Sequence, residues 1–439
     1  MYPALARATA GRKWRRQVKT FARPYEAGLS RPEIEARQLE KFNEVWGSAL
    51  ESSIFYREWA KRHDLPAAIS SLDELDVFPE LTKADIVQNA DKVFQWVDGR
   101  EVSDAYVTGG STGKPGRFPR GAGEGVARRA NIFMAREWWG VKMFDPYIHF
   151  WGHVHLHAGW KAATKRRIKD RLVNGMRLSS YRTNEAAQAE YAERMLKTNP
   201  AYVIGYTSTI FKVARKLEEM GHGPSDFPRL RALFATSETA SQADADQVRR
   251  TFGIPLALEY GASELGVVAH SRTDTWPLQV LWDSFIVRVN ANGELVITSL
   301  DDRIFPLVNY RIGDLVDGGD VVTGNALTLG RIKGRAHEVV PFRDLDGERL
   351  DFFVGEPVHV LKGIPGVMSV QYRVVDGTET TVLVTGSERL DLSLVRDRLV
   401  KALRLGHPNL DPASVRLEQT EEPILTPAGK HQMIITVES

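Results

Sequence analysis

No cysteine occurs among the 439 residues, which excludes disulfides, thiolate nucleophiles and cysteine-ligated zinc together. A chain without cysteine fits a reducing compartment, and a cytoplasmic location is the expectation. Long apolar runs are missing too. Nothing approaches the ~18–20 consecutive apolar residues of a membrane span, so stable membrane insertion is not expected. The first residues are basic (Arg12, Lys13, Arg15, Arg16, Lys19), but no continuous apolar stretch follows, and they do not read as a signal peptide. An excess of one charge is also lacking. The 58 Lys+Arg and 56 Asp+Glu leave a formal net charge of +2, which speaks against a dedicated nucleic-acid binder.

What remains is ordinary globular composition, 43 % hydrophobic and 26 % charged, long enough for more than one core. Ser30-Arg31-Pro32-Glu33 predicts a helix start, with Ser at the N-cap, Pro in the first turn and Glu at N3. Ile34, Leu39, Phe42, Val45, Trp46, Ala49 and Leu50 continue an apolar stripe, so the reading is helix over 30–63. A second short helix is expected from Thr82-Lys83-Ala84-Asp85. From about 102 to 330, β-type runs alternate with amphipathic stretches: strand 201–205, helix 207–220, strand 232–236, helix 240–252, strand 255–260. That alternation marks a layered α/β domain, whose ligand loops gather at the carboxyl ends of the strands. Near 334–347 the texture changes, and strands at 367–375 and 380–386, a helix at 391–405, and strands at 413–418 and 431–437 are expected. The fold class is therefore α/β. A large layered domain over 1–334 precedes a small α+β domain over 335–439.

Four segments stand out. Tyr106-Val107 runs into Thr108-Gly109-Gly110-Ser111-Thr112-Gly113-Lys114-Pro115. Glycines let successive backbone N–H groups approach phosphate oxygens, and the hydroxyls and lysine add donors. It departs from the Gly-x4-Gly-Lys-Ser/Thr loop, since Thr108 stands where glycine is required and Pro115 follows the lysine. The plain alternative is a flexible surface turn. Leu258-Glu259-Tyr260-Gly261-Ala262-Ser263-Glu264 ends a strand on a ring able to stack on a base and a carboxylate able to hold Mg²⁺, or is simply a turn with a solvated Glu. Asn309-Tyr310-Arg311-Ile312-Gly313-Asp314 sets an aspartate that can accept from ribose hydroxyls, unless it is an ordinary Gly-Asp turn. Thr426-Pro427-Ala428-Gly429-Lys430 holds a lysine in a loop, where a lysine is usually solvated.

Taken in order, these segments resemble the adenylate-forming superfamily of acyl-CoA synthetases and adenylation domains. The chain is most similar to the phenylacetate–CoA ligase-like branch that includes capsule-polysaccharide biosynthesis members. Tyr56-Arg57, Phe78 to Lys83, Ser237-Glu238-Thr239 and Gly334-Arg335 add further marks of that branch, and the resemblance runs from about residue 30 to the C-terminus. It implies a mobile C-terminal domain and an ATP site with Mg²⁺. Thr108, Ser111, Thr112 and Lys114, spaced by Gly109, Gly110 and Gly113, match the loop holding the β- and γ-phosphates. Ser237, Glu238 and Thr239 match the adenine turn, with Ser237 in a place often held by Gly. The resemblance puts Tyr260 and Gly261 against adenine, Ser263 at the α-phosphate, Glu264 on Mg²⁺ and Asp314 on the ribose hydroxyls. Arg335, or Arg331 in the other Gly-Arg pair, matches the ribose arginine, Glu338 the hinge, and Lys430 the lysine that enters the site for adenylation.

The acyl pocket is less legible. His153, in Phe150-Trp151-Gly152-His153, either orients the acid or is structural, and Trp138, Trp139, Phe150 and Trp151 suit an aryl group or a plain core. His153, His155 and His157 would share one face of a strand, but no carboxylate or cysteine joins them to favour zinc. The basic cluster from Lys165 to Arg171 would meet a CoA phosphate or an anionic glycan, or is a solvated helix face.

The resemblance thus implies ATP-dependent activation of a small carboxylic acid to an acyl-adenylate with pyrophosphate release, then transfer to CoA. Transfer to an amine or hydroxyl acceptor is the alternative. A non-catalytic nucleotide-binding homologue is the third reading, and intact Lys430, Asp314 and Glu264 argue against it.

Overall fold

The computed structural model describes residues 2–96, 102–107, 116–151, 168–180, 185–319, 325–335, 339–353, 361, 364, 366–386, 390–424 and 433–437. They form two compact units, Met1–Met143 with Leu258–Ile332, and Phe144–Ala257 with Lys333–Ser439.

The first unit opens with helices α1 (Tyr2–Glu26), α2 (Arg31–Ser52) and α3 (Ile54–His63). The α2 start follows its sequence signal: the Ser30 N–H and Oγ donate to Glu33 Oε2 at 2.8 and 2.6 Å. Ile34, Gln38, Phe42, Trp46 and Ala49 turn one buried face inward. The expected single helix over 30–63 is broken at Ser53. That residue is extended (φ −89°, ψ 124°), and its Oγ accepts from the Tyr56 N–H at 3.4 Å to cap α3. Apolar periodicity does not register such a break, because both helices bury the same kind of face. Helix α1 was not expected at all. Its apolar members Val18 and Tyr25 are scattered among basic residues, yet Val18 is buried and Tyr25 lies against Trp138 and Trp282.

Short helices α4 (Lys83–Gln88, capped by Thr82 as expected) and α5 (Ala90–Val93) lead to a hairpin of β1 (Val102–Val107) and β2 (Arg117–Gly121), then to α6 (Glu124–Glu137). The unit ends in strands β7 (Leu256–Ala262), β8 (Gly266–Ser271), β9 (Leu278–Val280), β10 (Phe285–Val289), β11 (Glu294–Ser299), β12 (Tyr310–Gly319) and β13 (Thr328–Arg335). Their sheet order is β10-β11-β12-β13-β9-β8-β7, and the β7–β8, β8–β9, β10–β11 and β11–β12 pairs are antiparallel.

In the second unit, β3 (Tyr147–Trp151), β4 (Gly175–Ser179), β5 (Tyr202–Tyr206) and β6 (Ala232–Thr236) pair in parallel in the order β6-β5-β3-β4. Helices α7 (Glu185–Thr198), α8 (Thr207–Glu219) and α9 (Gln242–Phe252) connect or follow these strands, as the β-α alternation predicts. Val203, Ile204, Leu233 and Phe234 are all buried, so both faces of β5 and β6 are covered and the strands read as continuous apolar runs. A Cβ on Gly205 would lie 2.6 Å from the Phe150 Cβ, so the packing of β5 on β3 demands glycine there.

Beyond 333 come the hairpin β14 (Val339–Arg343) and β15 (Arg349–Phe353), then β16 (Val367–Val375), β17 (Glu379–Gly386), α10 (Leu392–Gly406), β18 (Arg416–Thr420) and β19 (Ile434–Val437). Val340, Phe342, Phe352, Tyr372, Leu399 and Leu410 belong to one buried cluster of this segment. The strand expected at 413–418 starts later, because Asp411 caps a short helical turn over Pro412–Ser414. No helix among the described residues is long and apolar enough to cross a membrane.

Candidate active site

The turn between β7 and β8 is shaped by glycine. The pairing register shifts between Tyr260 and Gly261, and a Cβ on Gly261 would lie 1.9 Å from the Gly266 carbonyl oxygen. Only a glycine permits that approach, and it places Tyr260, Ser263 and Glu264 around one turn. Two cross-links then join the turn to β12. Tyr260 Oη donates to Asp314 Oδ2 at 2.8 Å, and Tyr310 Oη donates to Glu264 Oε1 at 3.0 Å. Segments read separately as a base-and-metal turn and a ribose turn are therefore one hydrogen-bonded group.

Glu264 is buried, and the buried Arg303 secures the backbone around it by donating to the carbonyls of Glu264 (2.8 Å) and Leu265 (2.5 Å). The start of β12 is braced as well. Asn309 Nδ2 donates to the Phe78 carbonyl at 2.6 Å, and the Arg311 N–H to the Leu81 carbonyl at 2.9 Å. Tyr56 Oη donates to the Pro306 carbonyl. The marks at Tyr56 and Phe78–Leu81 thus act as supports for the segment that carries Tyr310 and Asp314.

Behind Tyr260, facing away from the turn, Glu259 is buried in a bidentate pair with Arg136, at 2.6 and 3.1 Å. His270 Nε2 lies 3.4 Å from Glu259 Oε1, while its Nδ1 is 2.6 Å from the Ser271 carbonyl oxygen. Burial alone would raise the Glu259 pKa, but the Arg136 charge and the hydrogen bonds from His270 and Arg136 overcome it and hold the carboxyl at about 2. Sequence reasoning passed over this cluster. Its one signal was an acidic residue in the otherwise apolar run Leu256-Ala257-Leu258 before Tyr260.

In the second unit, the turn after β6 holds Ser237 at φ 67°, in the left-handed region that favours glycine. Glu238 accepts from the Ser208 N–H at 2.7 Å and from Ser208 Oγ at 3.1 Å, satisfying donors at the start of α8. Thr239 follows, half-buried.

A crystal structure of 2-hydroxyisobutyryl-CoA ligase, in the postadenylation state with R3-HIB-AMP, matches the chain with a TM-score of 0.71. The match covers 93% of this chain and 90% of that one, at 16% sequence identity. This is the fold of the adenylate-forming enzymes. An open conformation of the same ligase, in complex with 2-HIB-AMP and CoA, gives a TM-score of 0.55 at 17% identity over 92% of each chain. Among curated proteins, Protein CapK of Staphylococcus aureus is 25% identical over 314 residues, 70% of this chain and 69% of CapK. No family model matches. The resemblance read from the motifs is matched by the fold.

Within the adenylate-forming fold, Val107 pairs with Arg117, so the ends of the expected phosphate loop are neighbours in a hairpin. Thr108 to Pro115 themselves, with Gly109, Gly110, Ser111, Thr112, Gly113 and Lys114, lie outside the described residues. So do His153, His155, His157, Lys165 to Arg167, Glu338, Lys430 and the Arg335 side chain. Arg331 is exposed, with its guanidinium 4.5 Å above the Trp276 ring. No group of three metal-ligating side chains occurs among the described residues. A single carboxylate such as Glu264, oriented by Tyr310, does fit a Mg²⁺ that arrives with substrate phosphates, since that ion takes one or two protein carboxylates.

Proposed function

We propose that the chain is an ATP-dependent ligase that converts a carboxylic acid to an acyl-adenylate, releasing pyrophosphate, and then passes the acyl group to the CoA thiol, releasing AMP. The observation that carries this reading is the hydrogen-bonded group of Tyr260, Asp314, Tyr310 and Glu264, which joins two separately conspicuous segments. The Asp314 carboxylate accepts from the ribose hydroxyls, and the Tyr260 ring, held by its hydroxyl, packs on adenine with Gly261; Ser237, Glu238 and Thr239 supply the adenine turn. Ser263 donates to the α-phosphate, and the loop from Thr108 to Lys114 holds the β- and γ-phosphates. Arg331 or Arg335 completes the ribose site. Bound at Glu264, Mg²⁺ neutralises phosphate charge. Attack of the substrate carboxylate, oriented by His153, on the α-phosphorus builds negative charge as pyrophosphate leaves, and the Lys430 ammonium offsets it. Residues 335–439 turn as a body about Glu338 to exchange this pose for acyl transfer.

The 2-hydroxyisobutyryl-CoA ligase that shares the fold is captured with 2-HIB-AMP and CoA, which supports a small acid and CoA as substrates here. Transfer to an amine or hydroxyl is the second reading, and the similarity to CapK is compatible with it.

The test is pyrophosphate release from Mg·ATP across aryl, fatty, hydroxy and amino acids, each with and without CoA. Acid-dependent release accelerated by CoA, with thioester detected by mass, is the expected result. Release indifferent to CoA supports the second reading, and no release with any acid counts against both.

A further inference from the structure

One side chain joins β1 to the turn that carries Ser263 and Glu264. Arg128 leaves α6 with its guanidinium carbon 4.1 Å from the centre of the Tyr106 ring, and its Nη2 donates to the Ser263 carbonyl at 2.9 Å. Tyr106 is two residues ahead of Thr108, and Ser263 directly precedes Glu264. The backbone leaves room for this bridge. Gly266 stands at φ 89°, and a Cβ there would lie 2.7 Å from Arg128 Nε. Arg303 takes the next two carbonyls, so the carbonyls of residues 263, 264 and 265 all accept from guanidinium groups. Arg128 Nη1 is buried with no hydrogen-bond partner among the described residues.

We propose that Arg128 is a positioning residue that ties the Ser263–Glu264 turn to β1, so that the turn meets a nucleotide polyphosphate pre-oriented. The inference rests on the ATP-dependent reading given above. Its physical basis is the guanidinium plane, which stacks on a ring through its face while it donates through its edge. An ammonium group keeps the charge but cannot do both.

The experiment compares Mg·ATP and adenosine binding by calorimetry in the wild type, Arg128→Ala, Arg128→Lys and Tyr106→Leu, with thermal midpoints measured alongside. Adenosine needs only the Tyr260–Asp314 side, whereas Mg·ATP needs the Ser263–Glu264 turn as well. The expected result is a loss of Mg·ATP affinity of about tenfold in each variant, the size of one lost charged hydrogen bond, with adenosine affinity within about twofold. Guanidinium ion at millimolar concentration is expected to restore Mg·ATP binding to Arg128→Ala but not to Tyr106→Leu. Equal losses for both ligands, or a fallen thermal midpoint with no change in the ATP-to-adenosine ratio, would show a merely structural role and overturn the inference. If Arg128→Ala does not fold, the Lys and Tyr106 variants decide by the same ratio. A wild type that binds neither ligand overturns the ATP-dependent reading itself, and the inference with it.

Discussion

Tyr260 Oη and Asp314 Oδ2 lie 2.8 Å apart although 54 positions separate them in the chain. The bond fixes the tilt of the ring and the rotamer of the carboxylate together, so each functional group arrives pre-oriented by the other. On the proposed reading, the surface for the base and the acceptor for the sugar are held by a single contact within one compact unit.

Removing each half of that contact should have unequal effects. Tyr260→Phe keeps the ring and loses only the hydrogen bond, so ATP affinity is expected to fall a few-fold. Asp314→Ala removes the acceptor that the ribose itself needs, and a loss of about tenfold or more is expected. Calorimetric titration of both variants with Mg·ATP checks the order. Equal effects would mean that Asp314 serves only to hold the tyrosine.

Glu259 anchors β7 from behind through Arg136. Glu259→Gln leaves the buried Arg136 without its counter-charge, and a loss of about 3 kcal/mol in folding stability at pH 7 is expected. The folded-state pKa of about 2 lies below the ordinary value of 4.5. The carboxylate therefore stabilises the fold fully above pH 4.5, and that contribution is lost as the pH falls towards 2. Urea unfolding of the wild type and Glu259→Gln at pH 7 and pH 3 should show the gap between them narrowing in acid. A constant gap would contradict the pairing.

Ser237 occupies a left-handed backbone position that costs an L-residue about 1 kcal/mol. Ser237→Gly should therefore unfold at the same or a slightly higher denaturant concentration than the wild type. If Ser237 also uses its hydroxyl in the adenine turn, the glycine variant will bind ATP less tightly despite its stability. Denaturation and ATP titration of the same preparation separate the two effects.

Lys430→Ala should lower acid-dependent pyrophosphate exchange by about 100-fold or more, because the charge is needed where the transition state is most negative. ATP binding should change only mildly, since the lysine's contribution belongs to the reaction rather than to nucleotide affinity. Full exchange activity in the variant would remove Lys430 from the mechanism.

Much of this protein was legible before folding, because its signals are local. The cap at Ser30, the cap at Thr82 and the β-α alternation through 202–252 each depend on a few neighbouring residues, whereas Gly313 and Asp314, read as a turn, lie within β12. Sequence alone thus determined where the principal elements lie and which short segments bear polar groups beside glycine. It did not show the break at Ser53 or the helix over Tyr2–Glu26, where capping and packing outweighed apolar periodicity. Nor did it reveal that Tyr310 orients Glu264, that Arg136 neutralises Glu259, or that Arg128 ties Tyr106 to Ser263. Each of those contacts joins positions scores of residues apart, and a long side chain reaches only what the fold brings beside it. Local chemistry named the candidate groups, and tertiary packing chose their partners.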